Sequence, residues 1–155
     1  MSGKKKREKT LQVNYSKAPY YMENIDLIQQ LIYYNNGSLS EYNTNAIITL
    51  AEYLGIKSTF VKSSSLQVSN TSSERLVEII KKLNGDTYLS GKGGDKYQKN
   101  ILFESNQITL LYNEFEHPVY HQTNTKQFLK GLSILDFLFN LGKDKVRELI
   151  ISLKY

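Results

Sequence analysis

Three observations predict an α/β fold, in which a parallel, three-layer-like sheet carries flanking helices. Short runs rich in β-branched and aromatic residues recur at Lys57–Lys62, Thr87–Ser90 and Ile108–Asn113. Between and around them, apolar residues fall at helical spacing. Glycine and asparagine stops separate the two patterns. Short strands alternating with helices of about ten residues or more imply βαβ units, and these build a parallel sheet.

Residues 1–9 read as a basic flexible tail, and 10–155 as a single domain. Ala18-Pro19 marks a turn or the start of a helix. From Glu23 to Asn35, Ile25, Ile28 and Ile32 share one helical face, with Leu27, Leu31 and Tyr34 alongside. Asn35-Asn36-Gly37 stops that helix. Ser38-x-x-Glu41 has the form of a capping box. The helix behind it is striped by Ile47, Leu50, Ala51 and Leu54, with Gly55 as its cap. Lys57–Lys62 reads as a strand and Ser63–Ser73 as a loop. Thr71-x-x-Glu74 is a second capping-box candidate, before Leu76, Ile79, Ile80 and Leu83. Thr87–Ser90 is the next strand, Lys96–Ser105 a short helix, and Ile108–Asn113 a strand. Glu114–Lys130 looks irregular. Leu132–Leu141 is helical and stops at Gly142, and Val146, Leu149, Ile150 and Leu153 stripe the last helix.

With 155 residues, 40% hydrophobic and 23% charged, the chain is ordinary for one globular domain that buries roughly two thirds of its unfolded surface. No apolar run approaches the ~20 residues that span a bilayer, and no apolar segment follows the basic start as in a signal peptide. There is no cysteine, which excludes thiolate chemistry and fits a cytoplasmic protein. Residues 4–9 carry +4 of the formal net charge of +5. A nucleic-acid binder would spread that charge over a folded face, so nucleic acid is an unlikely partner.

The chemistry concentrates between Asp86 and Gly142. A strand running into Ser90-Gly91-Lys92-Gly93-Gly94 places a glycine loop at a carboxyl end, where open α/β sheets bind ligands. Glycines allow close backbone approach to an anion, and Lys92 adds a point charge for phosphate. The spacing matches neither the P-loop nor the dinucleotide fingerprint, and a plain glycine turn is the alternative. His117 and His121 are separated by Pro118, so they do not share a helix face. Even with Glu114 and Glu116 near, two histidines make a poor zinc set, so no metal is assigned. His117 suits a general base or a positioning residue, because imidazole titrates near neutrality; a structural histidine fixing the turn is the alternative. Ser133, Asp136 and Asn140 line one face of an otherwise apolar helix. Either that face meets solvent or Asp136 faces a pocket.

These same residues carry a resemblance. Tyr88-Leu89-Ser90-Gly91-x-Gly93, then Phe115-x-His117-Pro118-Val119-Tyr120-x-Gln122, then Leu132-Ser133-Ile134-Leu135-Asp136-x-Leu138-Phe139-Asn140-x-Gly142 resemble the WbqC-like protein family. Tyr15–Tyr21 and Glu52–Ile56 also look like family segments, so the likeness covers roughly residues 9–150. It implies a role in bacterial surface-polysaccharide (O-antigen) biosynthesis, with transfer of an acyl or aminoacyl (glycine-like) group to a sugar or sugar nucleotide. The partner would be a sugar nucleotide or activated acyl donor; no cofactor is specified. His117 and Asp136 would be the catalytic residues. Ser90, Gly91, Lys92, Gly93, Gly94, Tyr120, Gln122, Ser133 and Asn140 would bind substrate or phosphate. Family members begin with a His-Gln-Pro-Asn-Tyr-type strand and a βα unit, for which this chain has no counterpart before Thr10. Lys92 and His121 stand where proline is common. A missing βα unit would leave a sheet edge for a second copy or a partner chain, so a non-catalytic partner-binding remnant is the alternative function.

Overall fold

The computed structural model describes residues 3–152. Their order is α1 (Gly3–Tyr15), α2 (Tyr21–Tyr33), α3 (Leu39–Tyr53), α4 (Ser72–Lys82), β1 (Thr87–Ser90), α5 (Asn100–Ser105), β2 (Thr109–Tyr112) and α6 (Ile134–Ser152). This is a mixed α/β fold, with six α-helices and a small parallel sheet among the described residues. The chain folds as two units. One runs to Ser58 and resumes at His117; the other is Thr59–Glu116.

In the first unit, α2 turns Ile25, Ile28, Leu31 and Ile32 inward around Phe139 of α6, which is completely buried. The rings of Tyr15 and Tyr21 lie 4.9 and 5.4 Å from Phe139. A second cluster joins Leu54, Leu138 and Val146. Asn24 is fully buried and ties three helices together. Its Nδ2 donates to Tyr20 O at 2.9 Å and Leu138 O at 3.1 Å, and its Oδ1 accepts from Tyr53 at 3.0 Å. The large majority of buried polar groups find such partners.

The basic start differs from the sequence expectation. Lys4–Lys9 belongs to α1 and is not an open tail. Lys4 Nζ donates to Tyr34 O at 3.0 Å and Tyr33 O at 3.3 Å, the carbonyl end of α2, where the helix dipole favours a cation. Glu8 accepts from Gln29 at 2.7 Å and Tyr33 at 2.6 Å. Lys4, Glu8 and Leu11 recur every three or four residues, so one side of a polar helix is held to α2.

Ser38 caps α3: its Oγ accepts from Glu41 N at 3.4 Å, while its own N donates to Asn36 Oδ1 at 2.9 Å and not to Glu41 as a full capping box would have it. Thr71 sits at the cap of α4 but makes no side-chain cap bond, and Glu74 pairs with Lys99 at 3.0 Å. The α6 helix breaks at Gly142, where φ is +76° and a Cβ would lie 2.6 Å from Tyr20 Cδ1.

In the second unit, β1, α5 and β2 form the expected βαβ element. The strands are parallel, with Thr87 beside Thr109 and Ser90 beside Tyr112. One face packs Tyr88 and Leu110 onto Val77, Ile80, Phe103 and Ile108, with Tyr88 stacked 5.6 Å from Phe103. The sheet has two strands among the described residues. Lys57–Lys62 is not a third: Phe60 and Val61 are both 44% exposed, without the alternating burial of a paired strand.

Candidate functional site

Two polar clusters stand out, one in each unit. In the second unit both strands end on the same edge of the sheet, as parallel pairing requires. Ser90, 3% exposed, closes β1, and its carbonyl accepts from Asn113 N at 2.7 Å. The chain then makes a turn in which Gly94 N donates to Gly91 O at 2.9 Å. Among the described residues, the amides of Lys92 and Gly93 inside that turn make no hydrogen bond, and both residues are exposed. The three glycines are not equivalent. A Cβ on Gly91 or Gly93 would meet nothing within 4 Å. A Cβ on Gly94 would collide with Ser90 Oγ and the Gln98 carboxamide. Gly94 therefore builds the turn, whereas Gly91 and Gly93 keep its outer surface open. Outward amides with a lysine between glycines can hold an anion.

In the first unit the cluster centres on Asp136, in the first turn of α6 and 3% exposed. Asp136 Oδ2 accepts from the Tyr120 hydroxyl and from Gln122 Nε2 at 3.1 Å. Oδ1 accepts from Asn140 Nδ2 at 3.2 Å. Gln122 is fixed in turn by Leu129, whose N donates to Oε1 at 2.8 Å and whose O accepts from Nε2 at 3.0 Å. Asn140 Oδ1 accepts from both N and Oγ1 of Thr123 at 2.8 Å. The Tyr120 ring stacks on Phe137 at 4.5 Å. Neutral donors and the positive end of the α6 dipole together stabilise the buried carboxylate. Tyr15 reaches the same carboxylate from α1. Burial first, then hydrogen bonding to Asp136, pushes the Tyr15 and Tyr120 hydroxyls up to about 12, so both remain donors at neutral pH.

The predicted residues thus divide. Tyr120, Gln122, Asp136 and Asn140 come together. Ser133 is exposed and starts α6: its Oγ accepts from Leu135 N at 3.3 Å and its O from Asp136 N at 2.9 Å. His117 is half-buried, and His121 is exposed. Ser90 and Gly91–Gly94 form the turn of the other unit. Sequence reasoning passed over Thr123, Tyr15 and Gln98. Of these, Tyr15 carried a signal, the Tyr15–Tyr21 family-like segment. Among the described residues, no group of three His, Asp or Glu side chains is arranged to hold a metal ion, and no helix is long and apolar enough to cross a membrane.

A helix-flanked parallel sheet with a glycine turn at its carboxyl edge and a donor-filled carboxylate at a helix start defines an α/β protein with two polar clusters. The chain belongs to the WbqC-like protein family, whose model matches residues 2–148. A curated relative is the uncharacterized protein Rv1507c of Mycobacterium tuberculosis (strain ATCC 25618 / H37Rv). It is 24% identical over 137 residues, covering 88% of this chain. The chain spans 59% of the length of that relative. No solved structure matches.

Proposed function

We propose that the protein is a cytoplasmic transferase of bacterial surface-polysaccharide (O-antigen) biosynthesis, moving an acyl or aminoacyl group onto a sugar or sugar nucleotide. The observation that carries this reading is the turn at Gly91–Gly94. The Lys92 and Gly93 amides, which make no hydrogen bond among the described residues, follow the carboxyl end of β1, the position at which α/β sheets bind phosphorylated ligands. Family membership supports the substrate class. In this reading Ser90 and Gly94 shape the turn, and Gly91, Lys92 and Gly93 hold phosphate. His117 acts as base or positioning residue. Asp136 acts through Tyr120, whose hydroxyl it orients, while Gln122 and Asn140 hold the carboxylate.

Calorimetric titration with UDP-glucose tests the proposal. Binding is expected at millimolar ligand or below. Gly93→Val is expected to abolish it, although a Cβ at this position meets no atom of the protein within 4 Å. Absence of binding, or equal binding by the variant, refutes the reading.

A non-catalytic partner-binding role is the second reading. Leu89 and Leu111 are cross-strand neighbours, 38% and 40% exposed, on a parallel sheet of the kind ordinarily covered on both faces. Light scattering separates the two: a monomer over the micromolar range speaks against a partner-completed sheet.

A further inference from the structure

Gln98 lies just past the glycine turn and has no part in the phosphate contacts assigned above. Its backbone N donates to Gly94 O at 3.0 Å, which holds the residue against the turn. The side chain folds back, and Nε2 donates to Ser90 Oγ at 2.8 Å. The space it occupies exists because Gly94 has no side chain; a Cβ there would lie 2.8 Å from Nε2 and 3.0 Å from Cδ. At the other end of the same carboxamide, Oε1 is buried and accepts no hydrogen bond. A carboxamide oxygen has two lone pairs to satisfy. Leaving it dry costs at least as much as one neutral bond from Nε2 returns. The carboxamide is therefore held weakly where it lies.

The amides of Lys92 and Gly93, and Lys92 Nζ, are donors that suit an anion. Gln98, bonded to Ser90 and Gly94 of the same turn, adds a buried acceptor, Oε1. A bare anion would satisfy the donors and offer nothing to Oε1. A sugar phosphate offers both an anion and a neighbouring hydroxyl. We propose that Gln98 is a ligand-binding residue of the turn, whose carboxamide oxygen leaves its dry position to accept from a hydroxyl next to the phosphate of a bound sugar phosphate. This rests on the phosphate-binding reading of the turn. It favours a ligand that carries a hydroxyl beside its phosphate over a bare anion.

The test compares glucose 1-phosphate with phenyl phosphate, an anion without a hydroxyl donor at alkaline pH, by calorimetry on the full chain at pH 8. The wild type is expected to prefer the sugar phosphate about tenfold, the value of one hydrogen bond. Gln98→Met is expected to bind both equally, and to melt no lower than the wild type because the dry oxygen is gone. If Gln98→Met is not recovered folded, Gln98→Asn, with a shorter reach, is expected to lose the same preference. Equal binding by the wild type, or a preference retained in the variant, overturns the role of Gln98 while leaving the phosphate site intact. Failure of both ligands to bind overturns the site and this inference together.

Discussion

Asp136 shows how much one side chain can fix. Its partners Tyr120, Gln122 and Asn140 all donate to the carboxylate. Asp136→Asn would set an amide donor against one of these donors. A loss of about 2 kcal/mol is expected, because a buried donor left unsatisfied costs about 1–3 kcal/mol; chemical denaturation measures it. The tyrosines add a pH dependence. Tyr15 and Tyr120 are raised from 10.0 to about 12 in the folded chain, so the folded state resists losing their protons. Their contribution to stability is complete below pH 10 and is lost as pH rises from 10 toward 12. Denaturation midpoints across that range are expected to fall less steeply in Tyr120→Phe than in the wild type. The glycines supply a contrast in one turn: Gly93→Ala should leave the melting temperature unchanged, and Gly94→Ala should lower it, because only Gly94 faces occupied space.

At the scale of elements, α1 separates a tail from a structural helix. Leu11 and Tyr15 pack on the core around Phe139, and Lys4 and Glu8 bind α2. Removing residues 1–9 should cost about 1 kcal/mol or more, the net worth of a hydrogen bond such as those Lys4 and Glu8 make to α2. A flexible tail would cost nothing, so the denaturation midpoint decides. Gly142 plays the matching part in α6. Gly142→Ala combines a positive φ with a clash against Tyr20, and a loss of about 2 kcal/mol or more is expected.

At the scale of the whole molecule, the charge of +5 is concentrated on α1, where Lys4 already serves α2. Fluorescence anisotropy with a labelled oligonucleotide at physiological salt is expected to give no saturable binding. Steep salt-dependent binding would instead assign the outward lysines of α1 to a polyanion.

Helix faces and stops were legible because they are local. Ile25, Ile28 and Ile32 repeat within one helix, Ser38 and Glu41 meet within one turn, and Gly142 marks its own break. The strands Thr87–Ser90 and Ile108–Asn113, and their parallel order, followed from the intervening helix. Lys57–Lys62 misled for the same reason: strand propensity is local, but a strand needs a partner, and none among the described residues pairs with it. Likewise Lys4–Lys9 looks solvated by composition, yet the α2 groups that hold Lys4 and Glu8 are far along the chain. Asp136 and Asn140 could be put on one face, but whether that face met water depended on Tyr120, Gln122 and Thr123 arriving from a segment without periodicity. Spacing along the chain governs backbone hydrogen bonds, whereas the pairing of buried polar atoms depends on which distant groups packing brings within about 3 Å.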